Sequence, residues 1–243
     1  MGSARRFRDC LRRCDGATHM VVNIQMINGF LGPCAGKFLT VLCSALMLVF
    51  GFIAAPDARA EPPRVLVLGD SLVAGYGLPP GQSFPEQLQR DLATAGTEVV
   101  MINAGVSGDT TAGGLARLDW SLADNPDAVI IVLGGNDMLR GLPPEGTKAN
   151  LEAMIGRLRG KGVEVLLAGM MAPRNMGADY VETFDGIYPA LAAAHEIEFY
   201  PFFLDGVALD PALNLDDGLH PNRRGIAEIS RRILPVVERL LAR

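Results

Sequence analysis

The sequence predicts a three-layer α/β/α fold, with one five-stranded parallel sheet between two layers of helices. Five short apolar segments alternate with five segments of helical character along the chain. The clearest apolar segments are continuous, which is typical of parallel strands buried on both faces. Polar motifs directly follow the first three segments, at the strand ends where such sheets bind ligands. This alternation joins parallel strands through right-handed crossovers.

The predicted strands are short and apolar. Val65–Leu68 begins the sheet, and Ala128–Leu133, which reads AVIIVL, has the composition of a central strand. In chain order the five predicted strands are Val65–Leu68, Glu98–Ile102, Ala128–Leu133, Val163–Ala168 and Ile197–Tyr200.

The predicted helices lie between and after these strands. The sequence Ser83-Phe84-Pro85-Glu86 resembles a capping box with proline in the first turn, so a helix begins there and continues to about Ala95. The other four predicted helices are Gly114–Ala123, Pro144–Arg159, Asp179–His195 and Asn222–Leu241.

The N-terminal 60 residues have the pattern of a leader that ends in a secretory signal peptide. Phe38–Pro56 carries no charge, Lys37 precedes it, and Ala58-Arg59-Ala60 follows as an Ala-x-Ala site. We expect cleavage after Ala60 and export, to the periplasm. An uncleaved membrane anchor is the alternative, because the apolar stretch is nearly long enough to span a bilayer. Residues 61–243 then form a single domain.

Composition restricts the partners of that domain. All four cysteines precede Ala60, so the domain contains no disulfide and depends on its apolar core. It carries 15 basic and 24 acidic residues, a net charge of −9. An acidic domain without basic clusters argues against nucleic acid as a partner.

Ser71 is the first candidate for chemistry. It lies in Gly69-Asp70-Ser71-Leu72, directly after the first predicted strand. A serine hydroxyl becomes an effective nucleophile only beside a base. Its structural alternative is a helix N-cap. Val73 stands where a Gly-x-Ser-x-Gly motif would have its second glycine, which disfavours an α/β-hydrolase nucleophile elbow.

Asp217 and His220 are the second candidate pair. Their spacing on one tight turn puts both side chains on the same face, so the carboxylate can orient the imidazole as a base. The alternative is an ordinary loop histidine before a helix that begins at Pro221. His195 ends a predicted helix, where the helix dipole explains it, and we assign it no catalytic role.

Two further segments can stabilise an oxyanion. The glycine-containing loop 105–110 can bring a backbone N–H close to a substrate, and Asn136 offers a side-chain amide. Taken singly, each segment is better explained as a turn built from turn-forming residues.

Together these motifs resemble the SGNH (GDSL) hydrolase family, in particular its bacterial arylesterase, thioesterase I and lysophospholipase subgroup. The resemblance spans residues 64–242 and rests on LVLGDSLVAGYG, INAGVSGDTTAGGLARL, IVLGGNDMLRG, YPFFLDGV and DDGLHPN. It implies a flavodoxin-like fold. It also implies Ser71 as nucleophile, His220 as base and Asp217 as the orienting acid. The oxyanion hole would comprise the N–H groups of Ser71 and Gly108 and the side chain of Asn136.

Substrate contacts are harder to predict from the sequence. Four residues that follow the third and fourth strands are candidates for an acyl pocket, since methionine adapts to varied shapes: Met138, Leu139, Met171 and Ala172. Ordinary core packing explains them equally well.

The leading hypothesis is an exported serine esterase that acts on aryl esters, acyl thioesters or lysophospholipids and needs no metal or cofactor. Its partner is a small-molecule or lipid ester, transient contact with a membrane surface is left open, and a monomer is favoured. A sugar O-acetyl esterase of the same family is the alternative. A metal-dependent phosphoesterase using Asp70, Asp109, Asp217 and His220 is weaker, since carboxylate-rich zinc sites are unusual. A silent binding protein is the fourth possibility.

Overall fold

A parallel sheet of five strands forms the centre of the domain. The computed structural model describes residues 61–243, so the predicted leader, signal peptide and cleavage site lie outside the described residues. The strand order is β2-β1-β3-β4-β5, and every neighbouring pair is parallel. The strands are β1 Arg64–Gly69, β2 Val100–Gly105, β3 Ala128–Val132, β4 Glu164–Ala168 and β5 Glu198–Tyr200. The predicted fold class is confirmed.

Seven α-helices accompany the sheet in the described part of the chain. They are α1 Ser71–Ala74, α2 Phe84–Thr94, α3 Thr111–Ser121, α4 Gly135–Leu139, α5 Pro144–Gly160, α6 Ala178–His195 and α7 Arg223–Leu241. Helix α2 packs against α7, whereas α5 packs against both α3 and α6. None of the helices described within residues 61–243 is long and apolar enough to cross a bilayer.

The second predicted strand is displaced from the observed one. We expected Glu98–Ile102, but β2 pairs with β1 from Val100 through Gly105. Its polar residue Asn103 is accommodated because the side-chain amide donates to the Val73 carbonyl at 3.1 Å and to Ser83 Oγ at 3.2 Å. The strand therefore extends to the loop that contains Gly108.

The second predicted helix also begins earlier than expected. Thr110 caps α3 by accepting a hydrogen bond from the Gly113 N–H, so the helix already includes residues 111–113. At its other end, α3 stops at Ser121 instead of Ala123. The bounds of the other four predicted helices and four predicted strands agree with the structure to within about one residue.

The core consists mainly of the three central strands and the helix faces that cover them. Strands β1, β3 and β4 are buried along nearly their whole length. This burial on both faces explains their continuous apolar composition. The chain runs from β1 to β2 on one side and returns to β3 on the other. The carboxyl end of β1 is therefore a topological switch point, where sheets of this kind bind ligands.

Candidate active site

Ser71 lies at the switch point, at the first residue of α1. The turn into α1 is capped by Asp70, whose Oδ1 accepts from the Leu72 N–H at 3.0 Å. The N-cap of this helix is therefore Asp70, and not Ser71 as the structural alternative supposed. Ser71 is half-buried, and its hydroxyl is directed to the imidazole of His220.

Ser71, His220 and Asp217 form one chain of hydrogen bonds. The distance from Ser71 Oγ to His220 Nε2 is 2.9 Å, and that from His220 Nδ1 to Asp217 Oδ2 is 2.6 Å. A carboxylate can only accept, so Nδ1 carries the proton and Nε2 is left as the acceptor. These distances fit a nucleophile, a base and an orienting acid.

The Asp217 carboxylate is fixed by its own turn. Its Oδ1 accepts from the N–H groups of Leu219, at 2.9 Å, and His220, at 3.0 Å. These backbone donors, with the His220 ring, lower the pKa of Asp217 to about 2. The carboxylate is therefore ionised throughout the neutral range and keeps its side of the imidazole protonated.

The turn that carries Asp217 and His220 is anchored at both ends. Leu215 and His220 are joined by a backbone hydrogen bond of 2.8 Å. Immediately after, Asn222 caps α7 by accepting from Arg224 and Gly225, and its amide also donates to the carbonyl of Asn214. His220 is therefore held on a fixed turn.

Tyr76 is a site residue that sequence reasoning missed. Its ring lies on the imidazole of His220, with the ring centroids 4.4 Å apart and the planes tilted by 36°. The Tyr76 N–H donates to the Ser71 carbonyl at 3.2 Å, which places the ring close to Ser71. About half of the side chain remains exposed. The motif Val73-Ala74-Gly75-Tyr76 gave the only hint, as an aromatic residue shortly after the candidate nucleophile.

Asn136 is the second residue of α4 and reaches the carboxylate beside Ser71. Its Nδ2 donates to Asp70 Oδ2 at 3.0 Å. Asp70 is buried, and burial raises its pKa from 3.8 to about 6, against the opposing effect of its hydrogen bonds with Leu72 and Asn136. The acceptor on Asp70 fixes which end of the Asn136 side chain carries the N–H groups.

Gly108 lies in a loop that approaches the end of β1. The loop is joined to β1 by a hydrogen bond of 3.0 Å from the Val106 N–H to the Gly69 carbonyl. Gly108 has φ of +85°, a conformation that glycine adopts without steric cost. Arg140, just after α4, donates from Nη2 to the Gly108 carbonyl at 2.7 Å. The Gly108–Asp109 peptide thus has a defined orientation, in a loop bonded to the strand that leads to Ser71.

The four candidate substrate-binding residues differ in exposure. Ala172 is buried and Met138 is packed against the core, so core packing accounts for both. Leu139 and Met171 are exposed by 58% and 40%, and remain candidates for contact with an apolar ligand. A cavity of about 240 Å³ lies elsewhere, beside the loop 75–81, and none of the four residues lines it.

The carboxylates of the metal hypothesis have other partners. Asp109 pairs with Arg117 at 2.6 Å, Asp70 accepts from Asn136, and Asp217 is bonded to His220. Within residues 61–243, His, Asp and Glu side chains do not gather in groups of three or more that could hold a metal ion. His195 ends α6, as the sequence predicted.

Comparison with known proteins identifies close relatives. Residues 67–227 match the model of the GDSL-like Lipase/Acylhydrolase family. An arylesterase of Vibrio mimicus is 43% identical over 178 residues, which cover 73% of this chain and 88% of the relative. The thioesterase 1/protease 1/lysophospholipase L1 of Escherichia coli K12 is 42% identical over 165 residues, covering 68% of this chain and 78% of the relative.

A solved structure extends this similarity to three dimensions. AlinE4, described as an SGNH-hydrolase family esterase, superposes with a TM-score of 0.64 at 44% sequence identity. The match covers 76% of this chain and 99% of AlinE4.

Proposed function

The chain belongs to the GDSL-like lipase/acylhydrolase family, and we propose that it hydrolyses carboxylic esters through an acyl-enzyme on Ser71. The observation that carries the proposal is the continuous hydrogen-bond chain from Ser71 Oγ through the imidazole of His220 to Asp217. It supplies both groups that a serine nucleophile needs, an adjacent base and a residue that orients the base.

In the first half-reaction, Ser71 Oγ attacks the carbonyl carbon of the ester while His220 Nε2 takes the hydroxyl proton. The carbonyl π electrons move to oxygen and form a tetrahedral oxyanion. When the intermediate collapses, the bond to the leaving group breaks and the imidazolium returns the proton to the departing alcohol. Asp217 remains ionised and stabilises the imidazolium at Nδ1.

In the second half-reaction, water replaces the alcohol. His220 Nε2 takes a proton from the water as its oxygen attacks the acyl carbon. The bond to Ser71 Oγ then breaks and the imidazolium reprotonates the serine. The acid is released and the enzyme regains its starting state without any added reactant.

Three N–H donors are proposed to hold the oxyanion. The Ser71 N–H lies in the first turn of α1, where helix N–H groups have no intrahelical acceptor. The Gly108 N–H belongs to a loop that is bonded to β1 through the Val106 N–H and to Arg140 through the Gly108 carbonyl. Asn136 has two amide hydrogens, and because one is bonded to Asp70, the other can point at the substrate. Donors fixed before the reaction are the most effective kind.

The proposed substrates have an apolar acyl or aryl part. Exposed apolar side chains occur on segments that follow the sheet strands or flank the base, namely Tyr76, Leu139, Met171 and Leu219. One relative is named an arylesterase and another a thioesterase and lysophospholipase. Aryl esters, acyl thioesters and lysophospholipids therefore form the proposed range, with transient contact at a membrane surface for the lipids.

Export is proposed on the leader alone. The uncharged stretch 38–56 and the Ala-x-Ala site at 58–60 support a signal peptide, and we expect a periplasmic enzyme that begins at Glu61. Sequencing the N-terminus of the protein recovered from the periplasm tests both points. Protein that still carries residues 1–60 and is found in the membrane fraction would contradict both the cleavage and the periplasmic location.

The test of the activity uses p-nitrophenyl esters from acetate to palmitate, with protein expressed from the full chain. We expect hydrolysis that persists with chelator, and loss of at least about a thousandfold in kcat for Ser71→Ala and His220→Gln. His195→Gln, on the far end of α6, is the matched control and should keep the wild-type rate. A Ser71→Ala variant with wild-type activity would refute the mechanism, and activity confined to acetylated sugars would favour the sugar esterase.

A further inference from the structure

Arg117, on α3, joins the loop of Gly108 to the strand end that leads to Ser71. Its Nε donates to Asp109 Oδ2 at 2.6 Å, and its Nη2 donates to the Gly69 carbonyl at 2.9 Å. A third donor, Nη1, is 3.4 Å from Ser121 Oγ. Both ionic side chains are largely buried, with exposed fractions of 17% for Arg117 and 18% for Asp109.

The two residues that Arg117 holds are close in sequence to two proposed oxyanion donors. Asp109 directly follows Gly108, and Gly69 lies two residues before Ser71. The Gly69 carbonyl also accepts from the Val106 N–H of the same loop. The proposed oxyanion hole has two backbone N–H donors, on the segments that contain Ser71 and Gly108. The planar guanidinium of Arg117 is bonded to both of these segments.

We propose that Arg117 is a positioning residue that sets the spacing between the Ser71 and Gly108 N–H groups. This inference rests on the proposed function of the site. Arginine suits the task because its donors lie in a rigid plane, so bonds to Asp109 and Gly69 fix a direction as well as a distance. Lysine, a single point charge on a flexible stem, can keep the ion pair without fixing the spacing.

The ion pair acts in the transition state more than in the ground state. The carbonyl of a bound ester is only weakly polar, whereas the tetrahedral oxyanion carries a full charge that both N–H groups must reach. Loss of the spacing therefore lowers kcat and leaves KM nearly unchanged. Because Arg117 does not touch His220 or Asp217 in this arrangement, the pH dependence of kcat/KM remains that of the wild type.

The experiment compares Arg117→Gln, Arg117→Lys, Asp109→Asn and the double variant Arg117→Gln/Asp109→Asn. Arg157→Gln is the matched control, because Arg157 forms an exposed ion pair with Asp119 on the outer surface. We measure kcat and KM for p-nitrophenyl butyrate below the melting temperature, with Tm recorded for each variant. A p-nitrophenyl phosphonate, which forms a tetrahedral adduct on the nucleophilic serine, reports on the oxyanion donors without turnover.

The expected result is a fall in kcat of about ten- to a hundredfold for Arg117→Gln, with a similar fall in the rate of phosphonylation and KM within about twofold. Arg117→Lys should be intermediate. The double variant should lose no more than about the larger single loss, since the two residues act as one unit. Arg157→Gln should match the wild type.

Two outcomes would overturn the inference. Arg117→Gln and Arg117→Lys could keep the wild-type kcat with only a lower Tm, which would make the ion pair structural. Losses for Arg117→Gln and Asp109→Asn could instead multiply in the double variant. If Arg117→Gln fails to fold, the Arg117→Lys result decides. Failure of the proposed function is recognised separately, because the phosphonate would then leave Ser71 unlabelled in the wild type.

Discussion

The side-chain amide of Asn136 is bonded to the buried carboxylate of Asp70, with 3.0 Å between Nδ2 and Oδ2. The other carboxylate oxygen of Asp70 accepts from the Leu72 N–H in the turn that carries Ser71. One carboxylate therefore orders two parts of the proposed site, the turn at the nucleophile and the amide of the oxyanion hole. Both oxygens accept hydrogen bonds in this arrangement, which leads to the first prediction, and the burial of the carboxylate leads to the second.

Asp70→Asn should lower kcat although the substitution is nearly isosteric. An asparagine at position 70 has one oxygen and one NH₂ group, so its NH₂ must face a second donor, from either Leu72 or Asn136. We expect a loss in kcat of about ten- to a hundredfold, because the Asn136 amide is no longer held toward the oxyanion. Steady-state kinetics at pH 8 measure it. Asp216→Asn, at an exposed neighbour of the base turn, is the control, and equal kinetics for the two variants would contradict the prediction.

Asp70 should also make folding stability depend on pH. The pKa of Asp70 is about 6 in the folded protein against an ordinary value of 3.8, because burial penalises the charged form. The native state therefore binds this proton more tightly than the unfolded state. Ionisation of Asp70 therefore lowers the free energy of unfolding. This loss is absent below about pH 3.8, grows as the pH rises to 6, and reaches roughly 3 kcal/mol above pH 6.

Urea unfolding of wild type and Asp70→Asn between pH 4 and 7.5 tests this dependence. The stability of the wild type relative to the variant should fall as the pH rises across that window. Asp217 acts in the opposite sense, since its lowered pKa gives stability that is lost only as the pH falls from about 4 toward 2. A constant difference between wild type and variant would show that Asp70 ionises normally.

Tyr76→Leu should reduce kcat more than Tyr76→Phe. The aromatic ring lies 4.4 Å from the His220 ring and limits the rotation of the imidazole away from Ser71. Phenylalanine keeps the ring, so its kcat should lie within about twofold of the wild type, whereas leucine should lose roughly three- to tenfold. Steady-state kinetics with p-nitrophenyl acetate, a small substrate, separate this effect from lost substrate contact. Equal rates for leucine and phenylalanine would exclude a positioning role.

The sequence carried most of the information about the fold and part of that about the site. Strands β3 and β4 were predicted closely because buried parallel strands have a continuous apolar signal. The motifs at Ser71 and at Asp217–His220 were recognisable because each is complete within a few residues. Ser71 follows β1 at the carboxyl edge of the sheet, but His220 reaches it from the long segment between β5 and α7, so the sheet order alone does not predict their contact.

The remaining features depend on contacts between distant segments. Asp70 and Asn136 are 66 residues apart, and Arg117 reaches Gly69 from 48 residues away. No local pattern identifies such partners. Helices α1 and α4 have four and five residues, which is too short for an amphipathic period to be visible.

Gly105→Ala should destabilise the domain and disturb the nucleophile turn. A Cβ at Gly105 would lie 2.7 Å from Ala74 Cα and 2.8 Å from the Val73 carbonyl carbon, both of them backbone atoms of α1. Backbone atoms cannot rotate away, so α1 and Ser71 must move. We expect a loss of about 2 to 4 kcal/mol in the free energy of unfolding, and lower kcat in the folded fraction.

Gly156→Ala on α5 is the matched control for this substitution. Apart from its chain neighbours and the backbone of its own helix, nothing lies within 4 Å of a Cβ at Gly156. The residue is inside α5, where alanine is favoured over glycine by up to about 1 kcal/mol. The control should therefore be as stable as the wild type or more so, with unchanged kinetics. Similar Tm values for both alanine variants would show that α1 yields without strain.

Asp217→Asn should cause a large loss of kcat with little change in KM. An asparagine amide can present its NH₂ group to His220 Nδ1, which favours the imidazole tautomer with its proton on Nε2. In that tautomer Nε2 cannot accept the proton of the Ser71 hydroxyl. The two backbone donors from Leu219 and His220 also lose the charge of their acceptor. We expect a fall in kcat of about a hundred- to ten-thousandfold.

Kinetics of Asp217→Asn across pH 5 to 9, beside Asp216→Asn, provide the measurement. Asp216 is the adjacent exposed acid, so its variant removes the same charge one residue away and should keep the wild-type rate. Because the pKa of Asp217 is about 2, the wild type should show no change in that range from ionisation of this group. A loss of less than about tenfold in Asp217→Asn would mean that the Ser71–His220 pair works without an oriented tautomer. The proposed role of Asp217 would then be wrong even if Ser71 is the nucleophile.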